Sequence, residues 1–304
     1  MRRTDRHRRP PRPGDERGRA HSDRPADGRD PQARGIALSG TLLAIDGDSL
    51  AHRAYHGLPK SIRLNALVGF SNFLLRLWDS EQPESVLVGW DSLETPTYRH
   101  EALPAYQSGR EFEESLVEQL ALLPALVESF GFQIGKAGGY EADDFLAAAA
   151  RAWPGPVLVA TSDRDAYQLV DDRVSILQPV KGVSELARIG PAEVRERYGV
   201  EPHQVPDFIA LRGDPSDKIP GAPGIGPKKA ADVLKQHGSL AQALADGRFP
   251  QLTDELLLYQ RIATMDADAP LPALKPTSPD WARAAAYADD LGLGGLARKL
   301  GERV

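Results

Sequence analysis

Nine carboxylates stand at positions where a phosphate-cleaving site would want them. Asp46 and Asp91 each close a short apolar run, and Glu141-Ala142-Asp143-Asp144 opens an Ala-rich stretch. Asp163 and Asp165 flank Arg164, and Asp214 and Asp217 lie in the rigid segment Gly213-Asp-Pro-Ser-Asp-Lys-Ile-Pro220. Any one of these acids has a structural explanation, since Asp suits strand ends and helix N-caps and acids in a first turn complement the helix dipole. Gathered together, nine oxygen donors with no His among them need cations. Hard divalent ions that keep some of their waters, Mg²⁺ or Mn²⁺, suit that donor set. Two such ions serve phosphoryl chemistry: one lowers the pKa of a bound water, and both stabilise charge on the scissile phosphate and leaving oxygen. A glycosidase requires only two carboxylates, and a kinase or nucleotidase requires a phosphate-cradling loop, yet no G-x-x-x-x-G-K-[ST] occurs. The chemistry predicted is phosphodiester hydrolysis.

The elements that must position these acids alternate. Short apolar runs at Leu42–Ile45, Ser85–Trp90, Phe132–Ile134, Val157–Ala160 and Val174–Leu177 read as strands. Helical spacing covers Asn65–Trp78, Phe112–Phe130 and Glu141–Trp153, with later helices at Ala282–Leu291 and near Leu296. The pattern predicts an α/β fold with a mostly parallel central sheet flanked by helices, whose site lies beyond the carboxyl ends of the strands. Glu141 and Asp144, three apart, are expected on one helix face with Asp143 beside them. Strand signals stop near residue 190. The expected organisation is a disordered Arg-rich tail over 1–35, a catalytic core over 36–205 and a helical subdomain over 206–304.

Composition bounds the rest. At 304 residues and 41% hydrophobic, the chain can bury one large core or two smaller ones. It has no Cys, which excludes disulfide scaffolds, thiol nucleophiles and Cys-ligated metals. No apolar run approaches the roughly 18 residues of a membrane span, so a soluble cytoplasmic protein is expected. Residues 1–35 hold eleven Arg and six Asp or Glu but no Ile, Leu, Val, Phe, Tyr or Trp, too little apolar surface to offset ordering entropy. The remaining residues carry a net charge of −11, an unusual footprint for a nucleic-acid binder unless bound cations neutralise the nine acids.

A second group of residues points to nucleic acid. In Gly221-Ala-Pro-Gly-Ile-Gly-Pro-Lys-Lys-Ala230, amides freed by Gly224 and Gly226 at the start of a helix can approach a phosphate, and Lys228 and Lys229 add charge. Such a turn binds backbone rather than reading bases. Arg53 lies two turns past Asp46, and Tyr98–Arg110 mixes aromatic and basic residues. Arg53, Arg99 and Arg110 are candidate phosphate contacts, and Tyr55 and Tyr106 candidates to stack on an unpaired base. The plainer readings are a core position for Tyr55 and a solvated loop charge for Arg99.

Five ordered blocks, LLAIDGDSLAHRAYHGL, VGWDSLETPTYRHEALPAYQSGR, GYEADDFLA, ATSDRDAYQL and LRGDPSDKIPGAPGIGPKKA, resemble the 5′-nuclease (flap endonuclease) superfamily. The resemblance is to the bacterial 5′–3′ exonuclease, either fused to DNA polymerase I or encoded alone, and a free-standing nuclease is expected. It implies a first metal group of Asp46, Asp91, Glu141, Asp143 and Asp144, with Asp163 close by. Asp165, Asp214 and Asp217 match the second metal region. It further implies a helix-hairpin-helix grip on duplex at the glycine turn, with K⁺ there, and an arch base after Asp91. Arg53 and Arg110 match phosphate-contacting arginines. The implied substrates are branched, nicked or 5′-flap DNA and RNA/DNA hybrid primers, acted on by a nucleoid-associated monomer. One departure stands out: Gln107 occupies the place of a Lys that would stabilise the scissile phosphate, and a neutral amide cannot supply that charge. It motivates two rivals, a DNA-junction-binding protein with little catalysis and, less readily, a PIN-type RNA nuclease.

Overall fold

The computed structural model describes residues 40–92, 95–181 and 185–304, so the reading of 1–35 lies outside the described residues. Its centre is β1 (Leu42–Asp46), in which every residue is buried. Both faces of this strand are apolar, which is what a central parallel strand covered on two sides requires. β2 (Ser85–Gly89) and β4 (Val157–Ala160) pair with it in parallel, with Ile45 opposite Val88 and Ala160. β3 (Gln133–Gly135) and β5 (Val174–Lys181) extend the sheet in the order β3-β2-β1-β4-β5-β6. β6 (Glu185–Ile189) closes the edge antiparallel to β5. The apolar pattern does not predict β6, because its outward residues are polar or half-exposed, as an edge strand needs.

Alternation along the strands divides the core in two. Leu42, Ala44, Val157 and Val159 face one side, where they pack with α5 (Ala142–Ala152), α7 (Val205–Arg212), α8 (Pro227–His237), α9 (Leu240–Ala245) and α10 (Thr253–Ala263). Leu43, Ile45, Leu158 and Ala160 face the other, against α1 (Gly47–Gly57), α2 (Asn65–Glu81) and α4 (Glu114–Ser129). α11 (Trp281–Asp290) and α12 (Gly294–Gly301) join this second face through Ala284, Ala288, Leu296 and Leu300. The helices of segment 206–304 therefore divide between the two faces of the sheet. Two smaller helices, α3 (Tyr98–Ala102) and α6 (Pro191–Tyr198), complete the set.

Two glycines set the depth of the site. Gly89 and Gly135 are register partners on β2 and β3, at the carboxyl edge. A Cβ at Gly89 would lie 2.6 Å from the Ala142 carbonyl oxygen, and one at Gly135 would lie 2.7 Å from the Phe145 ring. Only hydrogen at these positions lets the first turn of α5, which carries the acids, sit directly on the sheet edge. The Ala-rich composition of α5 serves the same close approach. Among the described residues no helix is long and apolar enough to cross a membrane.

Candidate active site

The carboxyl ends of β1, β2 and β4, neighbours at the centre of the sheet, deliver Asp46, Asp91 and Asp163 to one edge. Asp46 ends β1 and caps α1: one oxygen accepts from the Ser49 amide at 2.9 Å and the other from the Thr161 hydroxyl at 2.7 Å. Asp91 accepts from the Ala142 amide at 2.8 Å, tying the end of β2 to the start of α5. Asp163 accepts from the Asp165 amide at 2.9 Å and so shapes the turn after β4. Of the nine expected acids, seven line a single pocket of about 420 Å³: Asp46, Asp91, Glu141, Asp143, Asp163, Asp165 and Asp217.

Asp144 and Asp214 are not on its wall. Asp144 is fully buried and forked by Arg99, with Nη2–Oδ1 at 2.8 Å and Nη1–Oδ2 at 3.0 Å. Glu141 and Asp144 come together as expected: Asp144 Oδ2 accepts from the Glu141 amide at 3.0 Å, and Arg99 reaches both side chains. Glu141 is the N-cap, with extended φ/ψ, and it is Glu141 and Asp143, not Asp144, that line the pocket. Asp214 instead braces its own loop, accepting from the Ser216 amide at 2.8 Å and from Arg212 at 3.1 Å while its backbone bridges Ile219.

Several binding expectations need correction. Arg99 is neither a solvated loop charge nor free for a strand: it is 2% exposed, held by Asp143, Asp144 and the Ile262 carbonyl, with Glu141 3.5 Å away. Three acids need a buried cation to balance them, and Arg99 supplies it. Tyr106 is buried and donates to Glu141 at 3.1 Å, and Tyr55 is a core residue that donates to Glu113 at 3.0 Å. Neither ring can stack on a base. Arg53 is half-buried and donates to the Val180 carbonyl at 3.1 Å. Arg110 stands at the pocket rim, donating to Asp217 at 2.8 Å and to the Ser216 carbonyl at 3.2 Å. Gln107 reaches the same Asp217 oxygen at 3.3 Å. Gly224 has φ +73° and nothing near its α-hydrogen, Gly226 precedes Pro227 at the start of α8, Lys228 is exposed and Lys229 turns back onto the Gly224 carbonyl at 2.9 Å.

Two wall residues escape the sequence reading. Asp48 lines the pocket and accepts from the Asp91 amide at 2.7 Å, and His52 lies one turn further along α1. The signal for Asp48 was present, since Asp46-Gly-Asp48 repeats the Asp-x-Asp spacing of Asp163 and Asp165.

Burial governs the electrostatics. It pushes Asp46 up to about 7 and holds Asp48, Asp143 and Asp165 well above the usual carboxylate range, with neighbouring carboxylates adding to the rise. Among the described residues no three Asp, Glu or His side chains close around one point at metal-ligand spacing, and Asp143, Asp217 and Asp214 are each paired with an arginine, Arg99, Arg110 and Arg212 respectively. The acids form walls rather than a finished cage. The donor set still fits a hard divalent ion: it is all oxygen, and the buried Asp143 Oδ1 has no hydrogen-bond partner.

Residues 41–199 match the N-terminal resolvase-like domain of 5′-3′ exonucleases, and residues 200–281 match their C-terminal SAM fold. The chain belongs to the 5′-3′ exonuclease family. A Streptomyces coelicolor 5′-3′ exonuclease is 36% identical over 295 residues, covering 85% of this chain and 98% of that protein. DNA polymerase I of Mycobacterium tuberculosis is 40% identical over 211 residues, 66% of this chain but 23% of the polymerase, so this exonuclease-family chain matches about a quarter of that relative's length. The bacteriophage T5 D15 flap endonuclease, solved as a pseudo-enzyme-product complex with DNA and metal ions, aligns with a TM-score of 0.61 at 20% identity, covering 86% of this chain and 98% of its own. The catalytic core of Rad2 in complex with a DNA substrate aligns at 0.57 and 15% identity, over 87% and 91% of the two chains. These two likenesses concern the fold.

The raised pKa of Asp46 makes a stability prediction for this family member. A group whose folded pKa is raised contributes stability at low pH that is lost as pH climbs through the folded value, here about 7. Asp46→Asn cannot ionise, so in metal-free buffer it is expected to stabilise the protein more at about pH 8 than at about pH 5. Mg²⁺ should raise the melting temperature of the unsubstituted protein more at the higher pH, since carboxylates must be deprotonated to bind it. Thermal unfolding with and without EDTA at both pH values checks both; equal effects at the two pH values would contradict the assignment.

Proposed function

We propose that this chain is a structure-specific 5′ nuclease, hydrolysing DNA and RNA-primer phosphodiesters at 5′ ends, flaps and nicks in replication and repair. The observation that carries this reading is that seven carboxylates from five separate stretches of chain line one pocket at the carboxyl edge of a parallel sheet. Asp46, Asp91, Glu141 and Asp143 would hold one Mg²⁺ or Mn²⁺, and Asp163, Asp165 and Asp217 would serve a second. Bound there, such ions supply a water of lowered pKa and charge neutralisation at phosphate.

The chain's own groups do the positioning. Thr161 and the Ser49 amide orient Asp46, the Ala142 amide orients Asp91, and Thr97 and Tyr106 hold Glu141 from two sides. Arg110, with a side chain 41% exposed at the rim, is placed to bind an incoming phosphate by exchanging Asp217 for it. Gln107 offers an amide donor in the same quarter but no charge. The turn at 221–226 and the start of α8 would hold duplex backbone, with K⁺ a fitting ion there, while Asp144 and Asp214 act as supports rather than ligands. A soluble, nucleoid-associated monomer fits this role.

A panel of labelled 5′-flap, nicked, blunt and single-stranded substrates, in DNA and RNA, tests the proposal. Cleavage of flap and nicked DNA that requires Mg²⁺ or Mn²⁺ is expected. No cleavage in either ion with tight junction binding retained would favour the binding protein, and preference for single-stranded RNA would favour the PIN-type nuclease.

A further inference from the structure

A helix leaves its last carbonyls without partners in its own ladder. At the end of α10 the backbone of residues 262–266 is gripped instead by side chains from α3, from α5 and from the single 3₁₀ turn Asp165–Leu169 that follows β4. Arg99 and Tyr98 of α3 donate to the Ile262 carbonyl at 3.1 Å and the Thr264 carbonyl at 2.8 Å. Asp144 of α5 accepts from the Asp266 amide at 2.7 Å. The remaining contacts fall to Gln168. Its amide nitrogen donates to the Ala263 carbonyl at 2.9 Å and to the Asp165 carbonyl at 3.0 Å, and its oxygen accepts from the Met265 amide at 3.0 Å. Asp165 and Ala263 both line the carboxylate pocket, so this one half-buried side chain ties two stretches of its wall together.

We propose that Gln168 is the positioning residue for Asp165, fixing where that carboxylate meets the second divalent ion by anchoring its turn to the end of α10. The inference rests on the two-ion nuclease reading above. Asp46, Asp91 and Asp163 are oriented through their carboxyl oxygens. The bonds that hold Asp165 are to its backbone: its amide donates to Asp163 at 2.9 Å, and its carbonyl accepts from Gln168. Closing the end of α10 requires only the bonds to Ala263 and Met265. The third bond, to Asp165, carries that anchor to the acid, and partners that orient a metal ligand typically set about tenfold to a hundredfold in metal affinity.

Mn²⁺ binding to the DNA-free protein, followed by electron paramagnetic resonance, gives a readout independent of cleavage. The unsubstituted protein is expected to bind two ions, and Gln168→Leu should weaken one by about tenfold to a hundredfold while the other stays within about twofold. Gln168→Glu keeps the acceptor for Met265 and loses both donors, so it should weaken the same ion, and it carries the test if Gln168→Leu does not fold. In single-turnover flap cleavage both variants should need about tenfold more Mg²⁺ for the half-maximal rate. Gln168→Leu added to Asp165→Asn should weaken Mn²⁺ binding no further than Asp165→Asn alone, because one acts through the other. Tyr98→Phe loosens the same end of α10 without reaching an acid, and should leave the Mg²⁺ requirement unchanged. Equal weakening of both ions, an unchanged Mg²⁺ requirement in the Gln168 variants, additive losses in the double variant, or the same shift in Tyr98→Phe overturns the proposal. Absence of any cleavage by the unsubstituted protein would instead reject the nuclease reading, leaving the Mn²⁺ titration to decide on Gln168.

Discussion

Asp143→Ala is expected to lower flap hydrolysis in Mg²⁺ by about 10²–10³-fold while duplex affinity stays within about twofold. Asp143 is the acid with an unshared buried oxygen on the pocket wall, so its removal withdraws a donor that no other hydrogen bond uses. It takes no part in the glycine turn or α8, where duplex backbone is proposed to sit. Two measurements separate the outcomes: single-turnover cleavage and a binding titration on the same flap. Cleavage near the unsubstituted rate would remove Asp143 from the metal site. Equal losses in cleavage and binding would show that the substitution damages the fold, which Asp143→Asn, the same shape without the charge, would then distinguish.

The second large effect concerns Arg99. Removing one partner of a buried ion pair leaves an uncompensated charge and costs about 3–5 kcal/mol. Arg99 is 2% exposed and balances Asp143, Asp144 and Glu141 together, so Arg99→Gln is expected to lower the melting temperature by about 10 °C. Arg99→Lys should recover little, because an ammonium cannot make the two-pronged contact that Asp144 receives. Adding Asp144→Asn to Arg99→Gln should cost less than the sum of the single changes, since the stranded charge disappears with its partner. Additive losses would show that Arg99 stabilises the protein through packing alone. The same contacts give Arg99 a second duty. Its Nε donates to the Ile262 carbonyl at 3.1 Å, and Asp144 accepts from the Asp266 amide at 2.7 Å, so the end of α10 is joined to the acid-bearing first turn of α5.

Much of the site is legible in sequence because strand ends are legible. Apolar runs that stop at Asp46 and Asp91, and an Asp-x-Asp after Val157–Ala160, mark one edge of one sheet, and the structure places all of them there. Asp48 was readable by the same logic. β6 was not, because a half-exposed edge strand lacks the buried period. Neither was Phe112, which the spacing places at the start of a helix and which instead lines the pocket from the segment before α4.

The chain's own order of residues determined the parallel sheet, the helices covering it and the gathering of acids at its carboxyl edge, because those follow from short-range periodicity and from the geometry of strand ends. Only the tertiary structure decided which acids reach the pocket wall and which are buried away from it. Asp143 and Asp144 are neighbours of the same chemical type, yet one lines the pocket and the other is buried against Arg99. Successive residues on a helix point about 100° apart, and which direction meets a cation depends on a segment more than forty residues away in the chain. The same holds for Tyr55 and Tyr106: an aromatic ring looks alike in sequence whether it faces DNA or the core, and long-range packing alone sets its direction.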